Sequence, residues 1–311
     1  MNIFQSAFLG IVQGLTEFLP ISSSGHLVLF QKIFGLTGNT LSFDVFVHLG
    51  TLLAVIIVFR KDILSILKDP FGKLAVLLVI GTIPAVIVGI VFKDIIEAVF
   101  ASGATIGVEF IITGFILVWA EKISRCHSEG DKTDRHSERP VSLRLSRSGS
   151  EESDHLLIPS VIPSKDGIQS PTSSACSPKT LPSMTVVDAI VIGIAQAVAI
   201  LPAISRSGLT IAGALSRKLD REFALKYSFL LSIPAILGSA VFDGVNIIKD
   251  PGSIQLIPIL IGTIAAAISG YFAIRYMLKV FSKKSLMPFA VYVFILGGLI
   301  IIDQAITHIF F

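Results

Sequence analysis

Glu17-Phe-Leu-Pro-Ile-Ser-Ser-Ser-Gly-His26 is a polar stretch inside an apolar region, and Leu201-Pro-Ala-Ile-Ser-Arg-Ser-Gly-Leu-Thr210 is its copy. Six residues in and before the first stretch recur 183 positions later in the chain. They are Gly10, Ile11, Gln13, Ser22, Ser24 and Gly25. Unpaired polar groups in hydrocarbon cost several kcal/mol each, so these side chains need protein partners or a polar cavity. The two stretches are therefore predicted to form a functional site.

Composition identifies the chain as an integral membrane protein. Its 311 residues are 52% hydrophobic and 15% charged, with a mean hydropathy of +0.81. Soluble domains carry more charge than this. Cys126 and Cys176 both fall in a polar segment, which argues against a disulfide framework or a thiolate metal site. The predicted fold class is an all-α membrane protein.

Apolar segments divide the chain into two similar halves. Each polar stretch interrupts a shorter apolar region, at about 3–30 and 186–215, as expected of a re-entrant helical hairpin. We predict a first repeat at 1–121 and a second at 186–311, each with one hairpin and three transmembrane helices. The predicted spans are 43–59, 74–92, 104–120, 227–242, 255–274 and 287–303.

An odd number of spans in each half predicts inverted topology, because the second half then starts on the opposite side of the membrane. Lysine and arginine placement supports this prediction: 21 lie on one predicted side and three on the other. The positive-inside rule then places both termini outside and segment 122–185 in the cytoplasm. Residues 124–183 include fifteen serines and six prolines, which favours a disordered linker.

The first stretch combines groups suited to acid–base chemistry. Gln13 and Glu17 are four residues apart and share one helix face. A buried Glu17 carboxylate requires a proton, a cation or a metal partner. His26 has a side chain suited to proton transfer. For Ser22 and Ser24 an alternative stays open, in which their hydroxyls only satisfy the broken backbone.

The second stretch is predicted to bind an anion. A helix that begins at a glycine-bearing turn favours phosphate at its N-terminus, and the Arg206 guanidinium can grip phosphoryl oxygens. The other predicted phosphate ligands are the hydroxyls of Ser205, Ser207 and Thr210. The alternative is that Arg206 pairs with Glu17 between the repeats. Four other ionisable groups are interpreted as interfacial or as helix–helix hydrogen bonds: Asp44, His48, Glu109 and Asp303.

Gln13-Gly-Leu-Thr-Glu17-Phe-Leu-Pro-Ile-Ser-Ser-Ser-Gly-His26 and Pro202-Ala-Ile-Ser-Arg-Ser-Gly-Leu-Thr210 resemble the two signatures of the bacterial undecaprenyl-diphosphate phosphatases, also called bacitracin-resistance proteins. The resemblance covers both repeats but not the linker. It implies hydrolysis of undecaprenyl diphosphate to the monophosphate and inorganic phosphate in the bacterial cell (inner) membrane, which recycles the lipid carrier for peptidoglycan. The expected partners are the lipid diphosphate, membrane lipids and a second copy in a homodimer. No nucleic acid partner is expected.

The resemblance also implies roles for individual residues. Gln13 and Glu17 fall on an acid pair that the family links to a divalent cation, Mg²⁺ or Ca²⁺. Ser23 falls on the proposed nucleophile and His26 on the catalytic histidine. The residues on its phosphate-binding positions are Ser205, Arg206 and Thr210. Thus the catalytic set implied is Glu17, Ser23, His26 and Arg206, with Glu17 and Gln13 as metal ligands.

This sequence departs from the family pattern at three places. Gln13 replaces an acid found in some members, Ala203 stands where glycine is common, and the serine-rich linker is atypical. We expect Ser23 or a water to attack the terminal phosphorus with His26 as acid or base, and His26 as the nucleophile stays open. The rival interpretation is a flippase for undecaprenyl phosphate, because inverted repeats with broken helices also build secondary transporters.

Overall fold

The computed structural model describes residues 1–36, 40–137, 179–249, 255–281 and 284–307. These residues are helical apart from short connections and one bridge between Lys179 and Leu219, which confirms the all-α class. A 3₁₀ turn covers Leu181–Ser183 and a π turn covers Asp303–Thr307. The α-helices are α1 (Ile3–Phe18), α2 (Ser23–Ile33), α3 (Leu41–Val58), α4 (Arg60–Lys68), α5 (Lys73–Val91), α6 (Lys93–Ser102), α7 (Ile106–Ser137), α8 (Val186–Val198), α9 (Arg206–Ser216), α10 (Arg221–Lys249), α11 (Leu256–Phe281) and α12 (Met287–Ile302).

The protein is a multi-pass membrane protein. Among the described residues, five segments are long and apolar enough to cross a membrane: Leu41–Val58, Lys73–Val91, Arg221–Phe242, Leu256–Phe281 and Met287–Ile306. The sixth predicted span, 104–120, lies in α7 but is not among the five. Its apolar part is short because Glu109 lies in the first turn of α7, and Glu121 and Lys122 follow the apolar residues.

The chain forms two compact units, one of Met1–Arg125 with Pro178–Phe311 and the other of Cys126–Ser177. Helix α7 continues to Ser137, beyond the predicted start of the linker at residue 122. The central part of the linker, 138–178, lies outside the described residues, so its predicted disorder stays a prediction.

Each polar stretch separates two short helices. Pro20 and Pro202 fall in the breaks, where the missing proline N–H disfavours continuation of the helix. Ser22 then caps α2 by accepting from the backbone N–H of Gly25, and Ser205 caps α9 in the same way. Helices α2 and α9 have 11 residues each, so each is about 16 Å long. Neither is long enough to cross a hydrocarbon core of about 30 Å.

One helix of each half packs mainly on a helix of the other half. Helix α1 packs most extensively on α11, and α8 packs on α5. Both contacts depend on glycine pairs. A Cβ atom on Gly10 would overlap the Gly262 carbonyl oxygen, and one on Gly193 would overlap that of Gly81. Small residues allow such close backbone approach between helices in a membrane.

Two helices occur where the sequence predicted only loops. Helix α4 lies between α3 and α5, within the predicted loop 60–73, and exposes Leu64 and Leu67. Helix α6 (Lys93–Ser102) connects α5 to α7. Both are short and carry charged residues, so they lack the long apolar run on which the predictions of spans depended.

Candidate active site

The two helix breaks contact each other and satisfy each other's backbone. Ser22 Oγ donates to the Pro202 carbonyl oxygen at 3.1 Å, and Ser24 Oγ donates to the same oxygen. In the other direction, Ser207 Oγ donates to the Leu19 carbonyl oxygen at 3.1 Å. These bonds are what the structural interpretation of Ser22 and Ser24 requires. They also hold the first and second stretches in one site.

The Glu17 carboxylate lies at the centre of this site and is only 7% exposed. Its Oε1 atom accepts from Arg206 Nη2, so the predicted ion pair between the repeats is present. Its Oε2 atom accepts from Ser23 Oγ at 2.5 Å and from Gln13 Nε2 at 2.9 Å. Three donors from two hairpins therefore fix one buried carboxylate, and one of these donors is a hydroxyl that could act as a nucleophile.

A cavity of about 330 Å³ opens beside this carboxylate. Its polar lining comes mainly from the two breaks and α3, and its apolar lining comes from α3, α10 and the second break. The polar lining is Thr16, Glu17, Ser22, Ser23, Ser24, Asp44, His48, Ser205, Arg206, Ser207 and Ser239. The apolar lining is Leu41, Val45, Ala199, Ile200, Ile204, Ala235, Ile236 and Ala240. Such a cavity suits a ligand with a charged head and a hydrocarbon tail.

Arg206 has capacity to bind a further anion. Its Nη1 atom is buried and has no hydrogen-bond partner, whereas Nη2 is bonded to Glu17. Arg206 begins α9, whose first backbone N–H groups and dipole favour negative charge. Ser205 Oγ caps this helix and lies 3.3 Å from Ser207 Oγ. Ser205, Arg206 and Ser207 therefore line the cavity, and Arg206 Nη1 is the donor among them without a partner. Phosphate binding at this stretch stays a prediction.

His26 and Thr210 are not part of the cavity lining. His26 is 1% exposed; its Nδ1 lies 2.5 Å from the Ser22 carbonyl oxygen and its Nε2 lies 2.7 Å from Tyr292 Oη. A carbonyl oxygen only accepts, so Nδ1 carries the proton. Thr210 Oγ1 is buried and hydrogen-bonded to Ser228 Oγ at 2.6 Å. Direct contact of either residue with a substrate stays a prediction.

His48 and Asp44, which the sequence suggested were interfacial groups or helix–helix hydrogen bonds, line the cavity, and Asp44 also accepts from Gln31 of α2. His48 Nε2 lies 3.7 Å from Glu17 Oε2. In the sequence, their spacing of four residues indicated only that they share one face of an apolar helix. It did not indicate that this face lies near Glu17. Glu109 was interpreted as interfacial or as a helix–helix hydrogen bond, but its Oε2 accepts from Ala203 N at 2.6 Å and so holds the second break rather than another helix.

The donor set does not fit a divalent cation held by the protein alone. In the part of the chain that the structure describes, no group of three His, Cys, Asp or Glu side chains could hold a metal. Gln13 supplies a buried Oε1 without a partner, but the Glu17 carboxylate already accepts three hydrogen bonds, one from a guanidinium. Mg²⁺ and Ca²⁺ require six or more oxygen ligands.

The sequence matches the family described as Bacitracin resistance protein BacA over residues 6–146 and 163–299. It is 46% identical over 308 residues to the undecaprenyl-diphosphatase of Carboxydothermus hydrogenoformans, with 98% of each chain covered. It is 40% identical over 311 residues to undecaprenyl-diphosphatase 4 of Bacillus thuringiensis, with 100% of each covered. The undecaprenyl-diphosphatase of Halothermothrix orenii is 38% identical over 309 residues, 97% of this chain and 98% of that one. The chain therefore belongs to the bacitracin resistance protein BacA family.

Proposed function

We propose that this protein hydrolyses undecaprenyl diphosphate to undecaprenyl phosphate and inorganic phosphate. This reaction would recycle the lipid carrier for peptidoglycan synthesis and confer bacitracin resistance. The observation that carries the proposal is the contact of Ser23 and Arg206 with one buried carboxylate, Glu17, beside a cavity with an apolar part. Full-length relatives named undecaprenyl-diphosphatase support it.

The cavity separates the two ends of the substrate. The diphosphate would occupy the polar part, where Arg206 Nη1 is a buried donor without a partner and the α9 N-terminus favours anions. The prenyl chain would leave between α3 and α10, past Leu41 and Ile236. The first turn of α3 and the later half of α10 form this part of the cavity. With the termini outside, as lysine and arginine placement predicts, it opens toward the outer side of the membrane.

Ser23 is the nucleophile that the geometry supports. Its Oγ proton points to Glu17 Oε2 over 2.5 Å, so Glu17 can accept this proton while Oγ attacks the terminal phosphorus. The bond from phosphorus to the bridging oxygen breaks, and undecaprenyl phosphate leaves. Arg206 stabilises the charge on the transferred phosphoryl group, which is the main requirement of phosphoryl transfer. Water then releases phosphate from Ser23.

His26 has a different place in this proposal from the one predicted from sequence. Both of its ring nitrogens are engaged, by the Ser22 carbonyl oxygen and by Tyr292 Oη. In this arrangement His26 positions the break that carries Ser23, and Glu17 is the group in reach of the Ser23 proton.

The proposed architecture is two inverted repeats, each with a re-entrant hairpin. The short lengths of α2 and α9 support the hairpins. The reciprocal packing of α1 on α11 and α8 on α5 supports the inverted repeat, since it relates equivalent helices of the two halves. The same packing of each half on the other also favours the alternative function of an undecaprenyl phosphate flippase. The homodimer and the outside location of the termini stay predictions.

Phosphate release from a soluble short-chain prenyl diphosphate tests the proposal. We expect purified wild-type protein to release phosphate and the Ser23→Ala protein to release little. A protein that only transports lipid would release none. Absence of phosphate release from folded wild-type protein, with and without added Mg²⁺ or Ca²⁺, would refute the proposed hydrolase activity.

A further inference from the structure

Two carboxylates and one guanidinium line the polar end of the cavity. Glu17 contributes one negative charge and Arg206, in direct contact with it, one positive charge. The other acid in the lining, Asp44, accepts from Gln31 Nε2 at 2.6 Å and is engaged there. A divalent cation added beside Glu17 would therefore leave one positive charge uncompensated in this lining, next to the Arg206 guanidinium, which is unfavourable at a buried position.

Few ligand positions remain for such a cation. A carboxylate offers about four lone-pair positions, and Glu17 uses them for Arg206, Ser23 and Gln13. The unused lone-pair position of Glu17 lies on Oε1, the atom that Arg206 contacts. The second free oxygen is Gln13 Oε1, which is buried without a partner. A neutral amide at this position adds a ligand but no charge.

A bound diphosphate group would supply both the negative charge and the oxygen ligands that the cation lacks. Its oxygens can supply most of the ligands that Mg²⁺ or Ca²⁺ needs, as phosphates do in other enzymes. Its negative charges compensate the cation and Arg206 together. The open position on Glu17 would then complete the coordination of a cation that arrives already bound to phosphate, and Gln13, which bonds to Glu17 outside the cavity lining, would add no charge.

We propose that this protein holds no resident divalent cation and binds Mg²⁺ or Ca²⁺ only as a complex with its diphosphate substrate, because residue 13 is an amide. The inference rests on the proposed function and adds the chemical form of the substrate. Gln13→Glu would supply the missing negative charge and create a resident site together with Glu17.

The chain contains a matched control for this substitution. Gln196 is the repeat counterpart of Gln13. It is 2% exposed, and neither of its amide atoms has a partner. Four residues later the second repeat has Ile200 where the first has Glu17. Gln196→Glu therefore adds a buried acid to a hairpin that has no second carboxylate at this spacing.

Equilibrium dialysis with radioactive calcium tests the proposal on purified full-length protein. Calcium per chain would be measured alone and with a short-chain prenyl methylenediphosphonate, whose P–C–P bridge resists hydrolysis. We expect wild-type protein to retain calcium only with the diphosphonate. Gln13→Glu should retain one calcium per chain without it, at least ten-fold more tightly than wild type, and Gln196→Glu should not. Arg206→Gln, which removes the competing cation, should also raise calcium binding without the diphosphonate.

Stoichiometric calcium binding by wild-type protein without the diphosphonate, lost in Glu17→Gln, would overturn the inference. Failure to retain calcium with the diphosphonate would overturn it as well. Gel filtration and thermal unfolding identify any variant that does not fold, and the wild-type result is decisive without the variants. Phosphate release from the same preparation separates the two proposals: release together with resident calcium refutes only this inference, and no release refutes the proposed function.

Discussion

Replacing Arg206 by alanine tests the central contact of the site. The substitution removes the guanidinium that bonds to Glu17 Oε1 and the buried Nη1 donor that would bind phosphate. Both losses come from one side chain, but they affect different quantities. The first lowers the free energy of unfolding, and the second lowers the rate of phosphoryl transfer.

The structure gives the expected size of each effect. Glu17 is 7% exposed, so without Arg206 its charge is buried and unpaired. Breaking a buried pair in this way costs about 3–5 kcal/mol of stability. Loss of a donor that stabilises transition-state charge lowers kcat by about 10²–10³-fold, or about 3–4 kcal/mol. Adding Glu17→Gln removes the unpaired charge, so the double variant should regain stability but not activity.

The assay is the initial rate of phosphate release per folded molecule, with thermal unfolding measured in the same detergent. Arg217→Ala is the matched control. Arg217 lies at the other end of α9, outside the cavity lining, and its Nε donates to Asp188 Oδ1 at 2.7 Å. We expect it to lower the unfolding temperature while turnover per folded molecule stays unchanged. Near wild-type turnover in Arg206→Ala, or an equal loss in Arg217→Ala, would refute the reasoning.

Three further changes test other parts of the structure. Ser23→Ala should reduce turnover roughly 10²–10⁴-fold, because the proton-transfer pair is lost. A quenched reaction should show phosphoserine in the wild-type protein only. Unchanged turnover would exclude Ser23 as the nucleophile. Gly10→Ala should lower the free energy of unfolding by about 1–3 kcal/mol, because its Cβ would overlap the Gly262 carbonyl oxygen. Gly238→Ala is the control: Gly238 lies in a helix and faces open space, so this change should not lower the unfolding temperature. Asp188→Asn should lower the free energy of unfolding by about 1–3 kcal/mol after allowance for solvent screening, because this buried carboxylate binds two partly exposed cations. Loss of turnover per folded molecule would contradict its placement outside the site.

Local sequence was sufficient to predict the helix breaks. Pro20 and Pro202 disfavour helix continuation, and Ser22 and Ser205 then cap the next helices. Proline alone is not sufficient, since Pro84 and Pro234 lie inside α5 and α10. These effects act over a few residues, so a single sequence reveals them. The long apolar runs were equally local. Helices α3, α5 and α12 begin and end close to the predicted positions, whereas α7, α10 and α11 extend several residues beyond the predicted spans.

Contacts between distant residues could not be predicted in the same way. His48 faces Glu17 because α3 packs beside α1, and nothing within the sequence around residue 48 records this. His26 was expected to act in the reaction because of its side-chain chemistry, but the structure places Tyr292, 266 residues away, against its ring. Helices α4 and α6 were missed because they lack long apolar runs.

The sequence by itself determined that this is a helical membrane protein with two related polar breaks, since hydrocarbon excludes such groups unless protein surrounds them. It also offered the Glu17–Arg206 pair as an alternative to anion binding. Only the tertiary structure decided that this pair forms through Nη2 of Arg206 and leaves Nη1 of the same side chain without a partner. The physical reason is geometric: a guanidinium has several donors in fixed directions, and only the packing of the two hairpins determines which donors are already occupied.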